Sequence, residues 1–128
     1  MYGSYNQLLR YQETNRVVRI AKYGRCSSDE QKKSGYTIGD QLSLMDDFCN
    51  DYQLVSVGEY VDEGVSATLE ISKRKDLSRM IEDAKAGKFD IILIKCIDRF
   101  FRSVEEYYAC QKQLRQAGVT WLSIEEPD

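Results

Sequence analysis

The chain has 128 residues, a length that suits one domain rather than two. Hydrophobic residues make up 42% and charged residues 30%, which indicates a soluble, folded protein and excludes a disordered one. The formal net charge of −3 disfavours a free-standing nucleic-acid-binding protein, because such proteins carry a basic excess. Histidine is absent, which excludes Ser-His-Asp and Cys-His catalysis and His-ligated zinc. Any catalysis must therefore use Ser, Cys, Tyr, Lys, Arg or carboxylate side chains.

Strands and helices are predicted to alternate after an unpatterned stretch at residues 1–15, where we expect a flexible leader rich in Tyr, Gln and Asn. The predicted elements are a strand at 17–23, a helix at 38–52, a strand at 54–61, a helix at 77–84, a strand at 89–97, a helix at 104–114 and a strand at 119–124. Such alternation predicts right-handed crossovers and helices on both faces of a parallel sheet. The expected fold is α/β: a three-layer domain at 16–128 with a mainly parallel sheet of four to five strands.

Hydrophobic periodicity supports these assignments. The first helix repeats apolar residues at steps of three and four from Ile38 to Tyr52. Its outer face carries acidic residues and no base, at Asp40, Asp46, Asp47 and Asp51. The second helix is expected to end at Gly87, since glycine favours helix C-termini. The consecutive apolar residues Ile91–Ile94 are typical of a strand that is buried on both faces.

The four cysteines are expected to be free and buried. Cys26, Cys49, Cys96 and Cys110 have spacings that match no zinc-binding or redox motif, and three of them lie in apolar stretches. Buried free thiols are typical of the reducing cytoplasm, which is the predicted location. No apolar run approaches the length of a membrane span, about 18 residues or more, and no signal peptide is recognisable.

Arginine-rich loops follow the first three predicted strands, at the edge where parallel α/β sheets carry their sites. The side chains expected there are Arg25, Arg74, Arg99 and Arg102, with the serines Ser27 and Ser28. Arginine presents a planar set of donors that suits phosphate oxygens, and serine can attack phosphorus. Residues 16–35 carry six basic and two acidic side chains, a local net charge of +4. The pattern predicts a metal-free phosphoryl-transfer site.

Each of these residues also has a structural interpretation. Ser27 or Ser28 could cap a turn or a helix, and Asp98 could cap the third helix. Single loop arginines are usually solvated. The sequence contains no GxGxxG or GxxxxGK[ST] motif, so a nucleotide cradle is not predicted. The functional interpretation therefore depends on these side chains meeting at one edge of one sheet.

Five motifs follow one another in order between Tyr23 and Arg102. They are Tyr23-Gly24-Arg25-Cys26-Ser27, Gly35-Tyr36-Thr37-Ile38-Gly39-Asp40-Gln41, Asp62-Glu63-Gly64-Val65-Ser66, the run from Glu82 to Asp90, and Ile97-Asp98-Arg99-Phe100-Phe101-Arg102. Through them, the chain from about residue 16 to 126 resembles the N-terminal catalytic domain of the serine recombinases, the resolvase/invertase family. It looks most like the large members, which are phage integrases and transposon recombinases.

The resemblance implies a role for each matching position. Ser27 would be the nucleophile, forming a 5′-phosphoserine link to DNA and freeing a 3′ hydroxyl. The phosphate would be bound and activated by Arg25, Arg99 and Arg102, assisted by Arg74. Asp98 would position these arginines or take part in proton transfer. The further substrate-binding positions would be Tyr23, Gln31, Gln41 and Ser66. No metal or other cofactor is implied, because the phosphoserine bond stores the energy for resealing.

The resemblance also implies partners. DNA would be the substrate, and the full-length protein would form dimers and a synaptic tetramer without a membrane partner. Members of the family continue into a long helix and a DNA-binding region, which these 128 residues lack. We therefore expect this stretch by itself to bind DNA weakly and to recombine it inefficiently.

Two alternatives stay open from the sequence. The chain could act only as a protein-interaction module that assembles or regulates full-length partners, although the intact arginine set argues against that origin. It could also be a different metal-free phosphoryl-transfer enzyme on a flavodoxin-like sheet. That alternative expects a nucleotide cradle, which the sequence does not contain.

Overall fold

The computed structural model of the protein describes residues 17–26, 37–64, 74–95 and 104–125. Their elements are, in chain order, β1 (Arg19–Cys26), α1 (Ile38–Asp51), β2 (Val55–Glu63), α2 (Lys75–Lys85), β3 (Ile91–Ile94), α3 (Val104–Gln116) and β4 (Thr120–Ser123). Every predicted strand and helix is present with the predicted type, although the ends differ by a few residues. The leader expected at 1–15 lies outside the described residues.

The strands of the described residues form one sheet in the order β2-β1-β3-β4, and each neighbouring pair is parallel. α1 packs on one face of this sheet, and α2 and α3 pack on the other. This three-layer arrangement confirms the predicted α/β class. The chain moves from β1 outward to β2 and then returns past β1 to β3. The direction of strand progression therefore reverses between β1 and β3.

The two central strands separate two apolar clusters. Ile20 and Met45 belong to the cluster beneath α1, whereas Leu77 and Trp121 belong to the cluster beneath α2 and α3. All residues of β3 are at most 1% exposed, which confirms a strand that is buried on both faces. Burying this apolar surface stabilises the sheet by the hydrophobic effect.

The helix ends follow from local sequence. α1 begins where the Thr37 hydroxyl oxygen accepts a hydrogen bond of 3.1 Å from the backbone N–H of Asp40. α2 ends with its C-cap at Ala86, and Gly87 follows with a φ of +75°. This left-handed conformation favours glycine, so the predicted helix stop at Gly87 is confirmed.

Lys22 is buried, although the sequence groups it with the basic residues near the candidate site. Its ammonium group forms ion pairs with Asp46 on α1 and, at 3.3 Å, with Glu59 on β2. Burial opposes the charge, but hydrogen bonds to the two carboxylates outweigh it and raise the pKa of Lys22. One of the acidic residues assigned to the outer face of α1 therefore helps to join α1, β1 and β2.

Arg19 and Asp90 join β1 to the turn before β3 at the amino edge of the sheet. Arg19 donates from its backbone N–H and its Nε to Asp90 Oδ2, at 3.0 and 3.3 Å, and from its Nη2 to Oδ1 at 3.2 Å. Arg19 Nη1 also donates to the Gly87 carbonyl oxygen at 3.0 Å. These contacts lie at the edge opposite to the candidate site, so they support the fold rather than the chemistry.

Candidate active site

The candidate site lies at the carboxyl edge of the sheet, where the strand order reverses between β1 and β3. In open α/β sheets this crevice is the usual binding position. Of the predicted site residues, the structure describes Tyr23, Arg25, Gln41 and Arg74. The others, Ser27, Gln31, Ser66, Asp98, Arg99 and Arg102, lie outside the described residues, and their roles stay predictions.

Gln41 holds the carboxyl end of β1. Its Nε2 donates a hydrogen bond of 2.9 Å to the Arg25 carbonyl oxygen, and its Oε1 accepts one of 3.3 Å from the Arg25 backbone N–H. Gln41 is buried, whereas Arg25 is partly exposed. Both polar atoms of the Gln41 side-chain amide thus contact the backbone of Arg25, two residues before Ser27. This geometry favours a positioning role for Gln41 over direct phosphate contact.

Arg74 is completely buried beside β1. Its Nη2 donates a hydrogen bond of 3.0 Å to the Tyr23 hydroxyl oxygen, and its guanidinium carbon lies 5.8 Å from the centre of the Tyr23 ring. The exposed fraction of Arg74 is 0%. The structure therefore brings two predicted site residues together, but in this conformation solvent does not reach Arg74.

Asp62 completes the group and was not among the predicted site residues. Its Oδ2 accepts a hydrogen bond of 2.6 Å from the Tyr23 hydroxyl and one of 3.1 Å from the backbone N–H of Leu77. Its Oδ1 accepts a further bond of 2.9 Å from the backbone N–H of Asp76. We call Tyr23, Asp62 and Arg74 the buried triad. The available sequence signal was the place of Asp62 at the start of its motif, at the end of a strand.

Asp62 caps α2 from a neighbouring strand. The N-cap residue of α2 is Arg74, which makes no side-chain capping bond. The Asp62 carboxylate accepts from the second and third N–H groups of the helix, where a capping side chain normally acts. A reciprocal hydrogen bond joins α2 to β2: Asp76 Oδ2 accepts a bond of 2.7 Å from the Val61 backbone N–H. The end of β2 and the start of α2 are therefore fixed to each other.

The hydroxyl of Tyr23 stays protonated within the triad. Burial is the main cause that raises its pKa, the Asp62 carboxylate adds to the shift, and the Arg74 charge opposes it. A protonated hydroxyl donates to Asp62 while it accepts from Arg74.

Burial also raises the pKa of the Cys110 thiol on α3 to about 12, against the opposing charge of Arg74.

Three cysteines are free and buried, as predicted: Cys26, Cys49 and Cys110. Cys96 lies outside the described residues. Within residues 17–26, 37–64, 74–95 and 104–125, no group of three Cys, Asp or Glu side chains is arranged to hold a metal ion. No helix in this part of the chain has the length and apolar character needed to cross a membrane.

Alkaline pH is expected to destabilise the fold. Burial, with a hydrogen bond to Asp83, raises the pKa of Tyr60 to about 12, whereas tyrosine in an unfolded chain titrates near 10. Below pH 10 the stabilisation that comes from the raised pKa of Tyr60 is fully present. It is lost as the pH rises toward about 12, because Tyr60 loses its proton at a lower pH in the unfolded chain than in the folded protein. The pKa values of Tyr23 and Cys110 are also raised, so their titration lowers the stability of the fold at alkaline pH as well.

Thermal unfolding between about pH 8 and 12 measures this effect. We expect the melting temperature of the wild type to fall more steeply above about pH 10 than that of Tyr60→Phe, which lacks this titrating group. Equal slopes for the two proteins would contradict the assignment.

Comparisons with known proteins agree with this architecture. Residues 20–128 match the family model described as "Resolvase, N terminal domain". No curated protein matches the chain at a significant level.

The solved structures that are similar to the chain include the following three. The N-terminal catalytic domain of TP901-1 integrase has a TM-score of 0.72 at 24% identity, covering 83% of this chain and 77% of that one. The C-terminal catalytic domain of ISC1926 TnpA, an IS607-like serine recombinase, has a TM-score of 0.70 at 22% identity, with coverages of 87% and 73%. A resolvase family site-specific recombinase from Streptococcus pneumoniae has a TM-score of 0.68 at 27% identity, with coverages of 84% and 72%.

Proposed function

The chain belongs to the family of the resolvase N-terminal domain, and from this premise we propose that it cuts and rejoins DNA through a phosphoserine intermediate on Ser27. Ser27 Oγ gives up its proton and attacks the scissile phosphorus, and the bond from phosphorus to the 3′ oxygen breaks. The 3′ oxygen takes up a proton and leaves as a hydroxyl. After strand exchange, the 3′ hydroxyl of the new partner attacks the phosphoserine and releases Ser27. Each step exchanges one phosphate ester for another, so no energy-supplying cofactor is needed.

The observation that carries this proposal is the end of β1 at the strand-order reversal. Cys26 is the last residue of β1, and the proposed nucleophile follows it directly in the sequence. The two bonds from Gln41 fix the backbone of Arg25 at this point. A serine that follows a fixed strand end at such an edge can be held in one attack geometry, which supports catalysis by orientation.

Arginine charge provides the rest of the proposed mechanism. Serine is a weak nucleophile at neutral pH, and the sequence offers no histidine to activate it. Guanidinium groups of Arg25, Arg99 and Arg102 hold the non-bridging phosphate oxygens and stabilise the charge that grows on them in the transition state. Asp98 positions these arginines or moves a proton. In this proposal the site works on DNA in the cytoplasm within a dimer and a synaptic tetramer.

Arg74 contributes only after a rearrangement. In the present conformation it is buried against Tyr23, away from any phosphate that arrives from solvent. Its proposed assistance to catalysis therefore requires a rearrangement that makes its guanidinium accessible to the phosphate.

Substitution of the nucleophile tests the proposal. In the complete recombinase with DNA that carries its recombination site, Ser27→Ala is expected to abolish cleavage and the covalent protein–DNA adduct while DNA binding persists. The matched control is Ser28→Ala, which removes the neighbouring hydroxyl and is expected to leave the adduct in place. Denaturing gel electrophoresis detects the adduct, and a gel shift measures binding. An adduct formed by Ser27→Ala would exclude Ser27 as the nucleophile.

A further inference from the structure

In the described part of the chain, the carboxyl end of β1 has a neighbouring strand on one side only. β3 pairs with β1 as far as Lys22, whereas β2 stays paired with β1 up to Cys26. Cys26 is the last residue of β1 and directly precedes the proposed nucleophile in the sequence. Contacts from β2 to this strand end therefore bear directly on the segment that carries Ser27.

The last of these contacts comes from Gly64. Its backbone N–H donates a hydrogen bond of 2.6 Å to the Cys26 carbonyl oxygen. Glu63 is the last residue of β2, so Gly64 makes this bond just after the strand has ended. The Cys26 carbonyl belongs to the planar peptide unit that joins Cys26 to Ser27. The bond therefore restrains the peptide plane from which the chain continues into Ser27.

The backbone conformation of Gly64 requires a glycine or a residue that resembles it. The φ of Gly64 is +73°, in the left-handed region. Glycine adopts this conformation readily, whereas most other residues reach it only with steric strain because of their Cβ atom. A residue with a side chain at this position can thus donate the bond to Cys26 only if it tolerates a positive φ.

Gln41 and Gly64 hold consecutive residues of β1 from two different elements. The Gln41 side chain on α1 bonds the backbone N–H and the carbonyl oxygen of Arg25, and Gly64 at the end of β2 bonds the carbonyl oxygen of Cys26. The final two residues of β1 are therefore restrained by the helix packed on the sheet and by the neighbouring strand. Together these contacts limit both the position and the rotation of the strand end.

We infer that Gly64 is a positioning residue for DNA cleavage, which acts through its backbone N–H on the peptide unit that precedes Ser27. This inference rests on the proposed function, because Gly64 acts through the proposed nucleophile. Loss of the N–H removes none of the side chains proposed to bind the phosphate, so DNA binding persists while the attack by Ser27 slows. A displacement of about 1 Å in a reacting group can lower a rate about 100-fold.

Gly64→Pro in the complete recombinase tests this inference, because proline has no backbone N–H and cannot adopt a positive φ. We expect single-turnover cleavage of site-containing DNA to slow about tenfold or more. The dissociation constant for the same DNA, measured by gel shift, is expected to change less than about threefold. A role in folding alone would not separate the cleavage rate from binding in this way.

The matched control is Gly118→Pro at the amino edge of the sheet. Gly118 has a φ of +77°, and its backbone N–H donates a hydrogen bond of 3.0 Å to the Arg115 carbonyl oxygen. The control therefore loses the same kind of bond and the same left-handed conformation, but far from the candidate site. We expect Gly118→Pro to be destabilised in urea, as Gly64→Pro is, and to cleave DNA at the wild-type rate.

A second pair of variants replaces Gly64→Pro if that protein does not fold. Gly64→Ala and Gly64→Asn both keep the N–H, but asparagine adopts a positive φ more readily than alanine does. Strain in Gly64→Ala shifts the N–H away from the Cys26 carbonyl, so Gly64→Asn is expected to cleave DNA faster than Gly64→Ala. Equal cleavage rates for these two variants would overturn the inference.

Two further results would overturn it. One is cleavage at the wild-type rate by a stably folded Gly64→Pro protein when Ser27→Ala is inactive, which excludes positioning by Gly64 and leaves the proposed function intact. An adduct formed by Ser27→Ala is the separate result that excludes the proposed nucleophile. The other is a Gly64 amide that exchanges with solvent as fast as an unstructured amide, measured by NMR on the wild-type chain, because the bond to Cys26 is then not formed.

Discussion

Asp62→Ala is expected to destabilise the folded domain by about 3 kcal/mol or more, the largest effect of any single substitution considered for stability. The carboxylate accepts hydrogen bonds from the Tyr23 hydroxyl and from the backbone N–H groups of Asp76 and Leu77, and it is only 5% exposed. Alanine leaves the buried Tyr23 hydroxyl, the buried Leu77 N–H and the partly buried Asp76 N–H without this acceptor. Hydrogen bonds to a charged group contribute about 1.5–3 kcal/mol each, although the losses do not add fully.

Urea denaturation measures this change through the fluorescence of Trp121, the single tryptophan, which is 1% exposed. The matched control is Glu63→Ala, which removes the exposed carboxylate next along the strand and is expected to change stability by no more than about 0.5 kcal/mol. Asp62→Asn should fall between the two, because the amide keeps one acceptor oxygen but turns a donor toward other donors. A loss below about 1 kcal/mol for Asp62→Ala would show that these bonds do not hold α2 in place.

Arg74→Met is expected to lower DNA cleavage far more than it lowers stability. Methionine fills much of the buried volume of Arg74 but removes the positive charge near the buried Asp62 carboxylate, so the free energy of unfolding should fall by up to about 3 kcal/mol. The Tyr23 hydroxyl keeps its bond to Asp62. If Arg74 reaches the scissile phosphate, the same substitution should lower the rate of DNA cleavage about 100-fold or more, which is typical for the loss of one transition-state donor.

Single-turnover cleavage of site-containing DNA by the complete recombinase measures this rate, and urea denaturation checks the fold. Tyr23→Phe is the informative partner variant, because it removes the hydroxyl that holds Arg74 but leaves the guanidinium available. It should retain far more cleavage activity than Arg74→Met. Cleavage at the wild-type rate by a stably folded Arg74→Met protein would show that Arg74 only supports the fold.

Much of the fold could be predicted because its signals are local. The steps of three and four in α1 and the apolar run Ile91–Ile94 each reflect periodicity within a single element. The end of α2 could be predicted from Gly87, because the glycine that favours a helix C-terminus directly follows the C-cap of α2. The alternation of these elements then limits the topology to a parallel sheet with helices on both faces.

The sequence predicted Arg74 and Tyr23 as site residues but could not predict their relation to Asp62. The triad joins β1, the end of β2 and the start of α2, and its members lie 12 to 51 positions apart in the chain. The capping of α2 by Asp62 could not be predicted from the local sequence either, because a capping side chain normally belongs to the N-cap residue, which here is Arg74. The burial of Lys22 could not be predicted for the same reason, since its carboxylate partners lie on two other elements, α1 and β2.

The sequence by itself determined the type and order of the elements, the α/β class and the family motifs, because each of these depends on spacing along the chain. The tertiary structure decided which of the predicted side chains are exposed and which are held inside. It placed Gln41 on the backbone of Arg25 and buried Arg74 behind Tyr23. The physical reason is that burial and hydrogen-bond partners arise from contacts between distant segments. The arginine charge counted in the sequence thus becomes, for Arg74, a charge that must move before it can reach a phosphate.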